Sequence, residues 1–97
     1  GEVLSREPAA QWETVRFRLP AHLARYVVEK GSITVDGVSL TVAGVGPDWF
    51  EVGLIPTTLK LTTLGVRRVG DPVNLEVDVL AKYVERLLGA APRGEVA

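Results

Sequence analysis

Cysteine is absent from the 97 residues. That one absence removes disulfide staples, thiol nucleophiles and cysteine-based zinc sites together. It fits a reducing compartment, so a cytoplasmic location is expected. Histidine occurs once, at His22. No metal constellation can be drawn around a single imidazole, and a serine triad could use only that residue. His22 lies just after Pro20, in what reads as a helical first turn, where a lone histidine is a solvated surface group. Basic residues are not in excess: 11 Lys and Arg stand against 12 Asp and Glu. A nucleic-acid binder ordinarily carries a basic surplus, so composition argues against that class. No apolar run approaches the length of a membrane span, and no basic segment leading into an apolar one opens the chain. The glycines fall one to a turn rather than clustering before a helix, which excludes a phosphate-binding loop of the usual kind. Methionine is also absent, even at position 1, so the chain is expected to be a piece of something longer.

What is present suits one globular domain with a modest core. The stretch Lys30–Thr41, KGSITVDGVSLT, is the most informative. Ile33 and Val35 alternate with Ser32 and Thr34, the period of a half-buried strand. Asp36-Gly37 then supplies the two positive-φ positions of a type I′ turn. Beyond it Val38, Leu40 and Val42 share one face, and Ser39, Thr41 and Ala43 the other.

The flanking chain continues in the same style. Gly1–Arg6 reads as a strand broken by Glu7-Pro8-Ala9-Ala10, and Glu13–Leu19 as a second strand. Pro20–Lys30 reads as a helix with Leu23, Tyr26 and Val27 on one face and Gly31 as its left-handed stop. The second hairpin strand runs to Val45. Trp49–Ile55 is a strand, Thr57–Leu61 one helical turn, and Val73–Val77 the last strand. From Asp78, a candidate N-cap, the period changes: Leu80, Tyr83, Val84, Leu87 and Leu88 have helical spacing. The expected fold is all-β: a six-stranded antiparallel Greek-key barrel with a short helix between strands and a C-terminal helix. Barrel and terminal helix occupy residues 1–88, and 89–97 form a flexible tail.

Hydroxyls are the remaining signal. Ser39 and Thr41 lie one pleat apart, and Thr57, Thr58, Thr62 and Thr63 form a second group. Threonine favours strands and helix starts for its own reasons. The same groups could equally offer hydrogen bonds to a planar heterocycle. The residues alone leave both readings open. Lys30 reads first as a charge at a helix C-terminus, Asp78 as a cap, and Trp12 and Trp49 as packing.

Four segments together carry a resemblance: the helix Pro20–Lys30, KGSITVDGVSLTV, LIPTTLKLTTLG and VGDPVNLEVDVLAKYVERLL. In this order they resemble the lumazine-binding repeat of the riboflavin synthases, over about Gly1–Leu88. The ending DVLAKYVERLL is similar to the second, C-terminal repeat. The resemblance implies a tandem of two six-stranded barrels, assembled as a homotrimer at full length. Such an enzyme dismutates two molecules of 6,7-dimethyl-8-ribityllumazine into riboflavin and 5-amino-6-ribitylaminopyrimidinedione, with no metal or redox cofactor. Each barrel binds one lumazine, and a first barrel meets a second barrel of another subunit at the active site.

Residue by residue, the resemblance assigns substrate binding to Lys30, to Ser39, Leu40 and Thr41, and to Gly53, Leu54, Ile55, Pro56, Thr57 and Thr58. It assigns catalytic roles to Ser39 and Asp78. It also implies that this chain lacks the first barrel and the segment that opens the second repeat. The chain is therefore expected to be a ligand-binding half whose partner is the N-terminal barrel, with the terminal helix driving self-association. The alternative function is a non-catalytic lumazine- or flavin-binding module of the antenna type. An oligonucleotide-binding barrel would need a basic stripe with exposed aromatics, which Arg16, Arg18 and the pair Arg67-Arg68 do not make.

Overall fold

In the computed structural model residues 1–77 and 86–88 are described. Among the described residues there are seven strands: β1 Val3–Pro8, β2 Glu13–Arg18, β3 Ser32–Val35, β4 Val38–Thr41, β5 Gly44–Val45, β6 Trp49–Leu54 and β7 Leu75–Val77. A 3-10 helix spans Ala21–Tyr26, helix α1 spans Pro56–Leu61, and a second 3-10 turn spans Thr63–Gly65. The strands form two antiparallel sheets, ordered β1-β2-β6-β5 and β4-β3-β7.

Alternation dictates how they pack. Val15 and Phe17 of β2 lie opposite Val52 and Phe50 of β6, and all four are buried. The two phenyl rings stack with centroids 5.2 Å apart. Ile33 of β3 meets Val77 of β7 in register, which turns the second sheet's apolar face into the same core. The outward residues pair across strands instead. The guanidinium of Arg16 reaches the Glu51 carboxylate at 2.6 Å and lies 3.8 Å from the centre of the Trp49 ring.

Two corners join the sheets. At one, Val42 exchanges bonds with Lys30 and Gly31, and the next residue, Ala43, donates to the Glu51 carbonyl at 2.8 Å. The chain thus leaves β3 and joins β6 within two residues. At the other, Gly1–Val3 lie beside Gly70–Val73, with Val3 N–H bonded to Asp71 O at 2.9 Å. The expected fourth strand is therefore split into β4 and β5. The result is a mostly β domain of two antiparallel sheets with short helices; among the described residues no continuous ladder closes a barrel.

Other expectations need correction. Pro8 closes β1 rather than breaking it, because β1 is an edge strand that can spare an N–H. The helix expected over Pro20–Lys30 is only the 3-10 helix Ala21–Tyr26, and Val27 is already extended. The β-branched pair Val27-Val28 follows it, and such residues favour extended backbone. The left-handed residue is Lys30, at φ 68°, not Gly31. Gly31 donates to Val28 O and closes a tight turn with Lys30 at its third position. A Cβ on Gly31 would stand 2.9 Å from Val28 Cγ2, so close approach selects this glycine. The last strand begins at Leu75 rather than Val73. Arg86–Leu88 are helical, with Leu87 and Leu88 exposed. Asp78, most of the expected terminal helix and residues 89–97, expected as a tail, lie outside the described residues. No helix among the described residues is long and apolar enough to cross a membrane.

Candidate functional site

The split between β4 and β5 creates the most distinctive polar surface. In the two-residue hairpin Val35 faces Val38, and Ile33 faces Leu40, so those residues exchange the ladder bonds. Val42 continues the pattern through its bonds to Lys30 and Gly31. The backbone groups of Ser39 and Thr41 therefore point away from β3. On β6, Leu19 N–H bonds Asp48 O, and the alternation gives Phe50, Val52 and Leu54 to β2. The groups of Gly53 and Ile55 then point away from β2, toward β4. Among the described residues no ladder joins β4 to β6. The unladdered gap between these two edges, the cleft, has amide donors and acceptors on both sides. It is closed at one end by the corner at Val42-Ala43.

Most residues singled out from the sequence border this cleft. Ser39 and Thr41 are exposed on β4, and Leu40 is half-buried beneath them. Gly53 is exposed on β6 and Ile55 just beyond it, and Gly53 has the Trp12 indole as its nearest outward neighbour. Pro56 and Thr57 are exposed at the start of α1, and Thr58 is half-buried, its carbonyl accepting from Thr62. Helix α1 starts here because Pro56 has a pre-set φ and no N–H to place. Leu54 differs from the others: its side chain is 1% exposed and belongs to the core. Lys30 sits at the closed end, its backbone N–H on Val42 O at 2.7 Å. Asp78 follows Val77, which pairs with Ile33, but is itself outside the described residues.

A separate hollow of about 540 Å³ is lined by Asp36, Gly37, Thr63, Arg67, Asn74, Leu75 and Glu76. None of the sequence-assigned residues lines it. At its floor the Asp36 side chain is 5% exposed. Its Oδ2 accepts from Arg67 Nε at 2.8 Å and from Thr63 Oγ1 at 3.4 Å, and its Oδ1 from Asn74 N–H at 2.8 Å. Burial pushes this carboxyl up, but the Asn74 amide, the Arg67 guanidinium and the Thr63 hydroxyl outweigh it and hold the pKa below the ordinary value. Arg6 anchors the same loop from the other side, donating to Leu64 O at 2.7 Å and Arg67 O at 2.8 Å while pairing with Glu13.

The sequence marked Asp36 only as a turn former. Its partners are 27, 31 and 38 residues away, and no local pattern signals them. Among the described residues no three His, Asp or Glu side chains gather as metal ligands. The cleft is suited to hold a flat polar molecule by its edge; the hollow's main charges are already spent on one another.

A family model described as lumazine binding domain matches residues 1–78. Riboflavin synthase of Mycobacterium tuberculosis (strain ATCC 25618 / H37Rv) is 66% identical over 94 residues, which are 94% of this chain and 47% of that protein. Riboflavin synthase of Actinobacillus pleuropneumoniae is 43% identical over 95 residues, 98% of this chain and 44% of that protein. The chain thus spans under half the length of these curated relatives. Among solved structures, LumP complexed with flavin mononucleotide superposes with a TM-score of 0.75 over 79% of this chain and 44% of that one. At 21% identity this likeness shows a shared fold.

Proposed function

The chain belongs to the lumazine-binding domain family, and on that premise we propose that it is the C-terminal half of a riboflavin synthase. It binds 6,7-dimethyl-8-ribityllumazine, or riboflavin, in the cleft between β4 and β6–α1. The observation that supports this most is a coincidence of two independent features. The segments assigned by resemblance are paired on one side only: Ser39–Thr41 with β3 and residues 53–54 with β2, with 55–58 following directly.

The chemistry fits. A pyrimidinedione edge alternates carbonyl and N–H groups, as the free edge of a strand does, and main-chain pairing at such an edge supplies affinity without charge. The hydroxyls of Ser39, Thr41, Thr57 and Thr58 are carried by the two elements that flank the cleft, where a polyhydroxylated side chain would find them. Lys30 stands at the closed end through its backbone bond to Val42.

Turnover needs two lumazines held face to face, so positioning supplies much of the acceleration. The ring already acidifies the exocyclic methyl from which a proton must leave. Ser39 and Asp78 are the groups proposed to move protons, and the backbone donors of the cleft stabilise the anion that results. The second lumazine comes from the N-terminal barrel of another subunit, in a homotrimer whose stoichiometry sedimentation equilibrium of the full-length protein reads. At full scale we take the protein to be a cytoplasmic enzyme built from six-stranded barrels. The antenna-type alternative has one observation in its favour, the flavin-complexed fold neighbour. The two readings part on turnover by the full-length protein.

The test is a titration of this chain with 6,7-dimethyl-8-ribityllumazine, followed by absorbance and fluorescence over time. Saturable binding without riboflavin, and riboflavin once the N-terminal barrel is added, is the expected result. No saturable change contradicts the binding role. Riboflavin formed by the chain alone contradicts its being only a half-site.

A further inference from the structure

The carboxylate of Asp36 is not explained by the turn it occupies. A type I′ turn asks only for positive φ, here 50° at Asp36 and 82° at Gly37, and asparagine meets that demand as readily. Yet this side chain is almost wholly buried and accepts from three donors on two segments of the chain, Thr63 and Arg67 on one and Asn74 on the other. Asp36 N–H also donates to Asn74 O at 2.8 Å, so the turn is bound to the loop before β7 from both sides.

What the contacts connect is informative. On one side is the tip of the β3–β4 hairpin, one residue from Val38, where β4 begins. On the other are Thr63 and Arg67, in the segment that follows α1 directly. β4 carries Ser39 and Thr41; α1 carries Thr57 and Thr58. These are the two walls of the cleft. The corner at Val42-Ala43 holds the walls together at one end, through the Ala43–Glu51 bond. Asp36 holds them together at the other. The segment it grips cannot drift with the hairpin, because Arg6 fixes the carbonyls of Leu64 and Arg67 to β1. β4 is the terminal strand of its sheet, so its free edge has no neighbouring strand to set its place.

We propose that Asp36 is a positioning residue of the cleft: by tying the hairpin tip to the segment after α1, it fixes the spacing of the two walls and so sets affinity for the planar ligand. The inference rests on the cleft being the ligand site. Asp36 touches no ligand in this account; it acts through β4.

Asp36→Asn and Arg67→Gln test it, alone and together. Asn keeps the turn and one acceptor toward Asn74 N–H but loses the charge that Arg67 meets. Riboflavin affinity is read by quenching of flavin fluorescence, well below the melting transition of every variant. Each single change is expected to weaken binding about ten-fold. The double variant is expected to bind no worse than either single one, since both remove the same tie. Far-UV circular dichroism should be unchanged.

A role confined to stability predicts lower melting temperatures with native affinity, and that result overturns the proposal. Additive losses in the double variant also overturn it. Arg67→Gln answers the question even if Asp36→Asn fails to fold. A wild-type chain that does not bind riboflavin removes the cleft assignment and this inference together. A wild-type chain that binds, beside an equally tight Asp36→Asn, removes only the positioning role.

Discussion

Asp36 also carries a consequence for stability. Its pKa in the folded chain lies below the ordinary value of 3.8. The ionised form is therefore favoured by folding, and its contribution is fully present above that ordinary value. It is lost as pH falls through the lower, folded value. Urea midpoints measured from neutral pH downward should thus fall in the acid range, and the fall should be shallower in Asp36→Asn; an identical acid limb in both would contradict the assignment. Lys30 shows how far single residues were legible. Its position beside the hairpin was readable from the sequence, but its φ of 68° was not, because glycine at the next position was the better left-handed candidate. A steric demand from Val28 Cγ2 selected Gly31 instead. Leu54 marks the reverse case: it stands in the motif, yet alternation with Phe50 and Val52 turns it into the core.

At the scale of elements, alternation located every strand but misjudged one continuity. Val38 to Val45 keeps its period through Val42-Ala43, because the faces of the side chains do not change there. What changes is the backbone's neighbour, from β3 to β6, and side-chain period carries no information about that. The cleft follows from this change of neighbour, so its residues were legible and its geometry was not. The first helix shrank for a related reason: Leu23 and Tyr26, three residues apart, fit a 3-10 helix as well as an α-helix. Gly65 closes the 3-10 turn after α1, and the structure shows why nothing larger fits. A Cβ there would lie 1.8 Å from the Leu59 carbonyl oxygen, a backbone atom that cannot step aside cheaply. Gly65→Ala should therefore cost about 1–3 kcal/mol in urea unfolding, as overpacking does. It should weaken ligand binding too, since α1 is one wall of the cleft. Wild-type stability in that variant would mean the approach is looser than described.

At the scale of the whole molecule, the sequence carried the mostly β class with antiparallel strands and the family. Two sheets share one core because each strand's apolar residues face inward, and short Gly- and Asp-containing turns bring the chain back each time. The joining of the sheets was less legible, because corners depend on single hydrogen bonds between residues distant in sequence. The central claim is that the unladdered edges of β4 and β6 bind the heterocycle. Amide hydrogen exchange by NMR, with and without 6,7-dimethyl-8-ribityllumazine, reads those edges directly. In the free chain the Leu40 amide, bonded to β3, should be protected, and the Ser39, Thr41 and Gly53 amides should exchange fast. With ligand, the last three should slow while Leu40 changes little. Unchanged exchange at Ser39, Thr41 and Gly53 under saturating ligand would contradict the account.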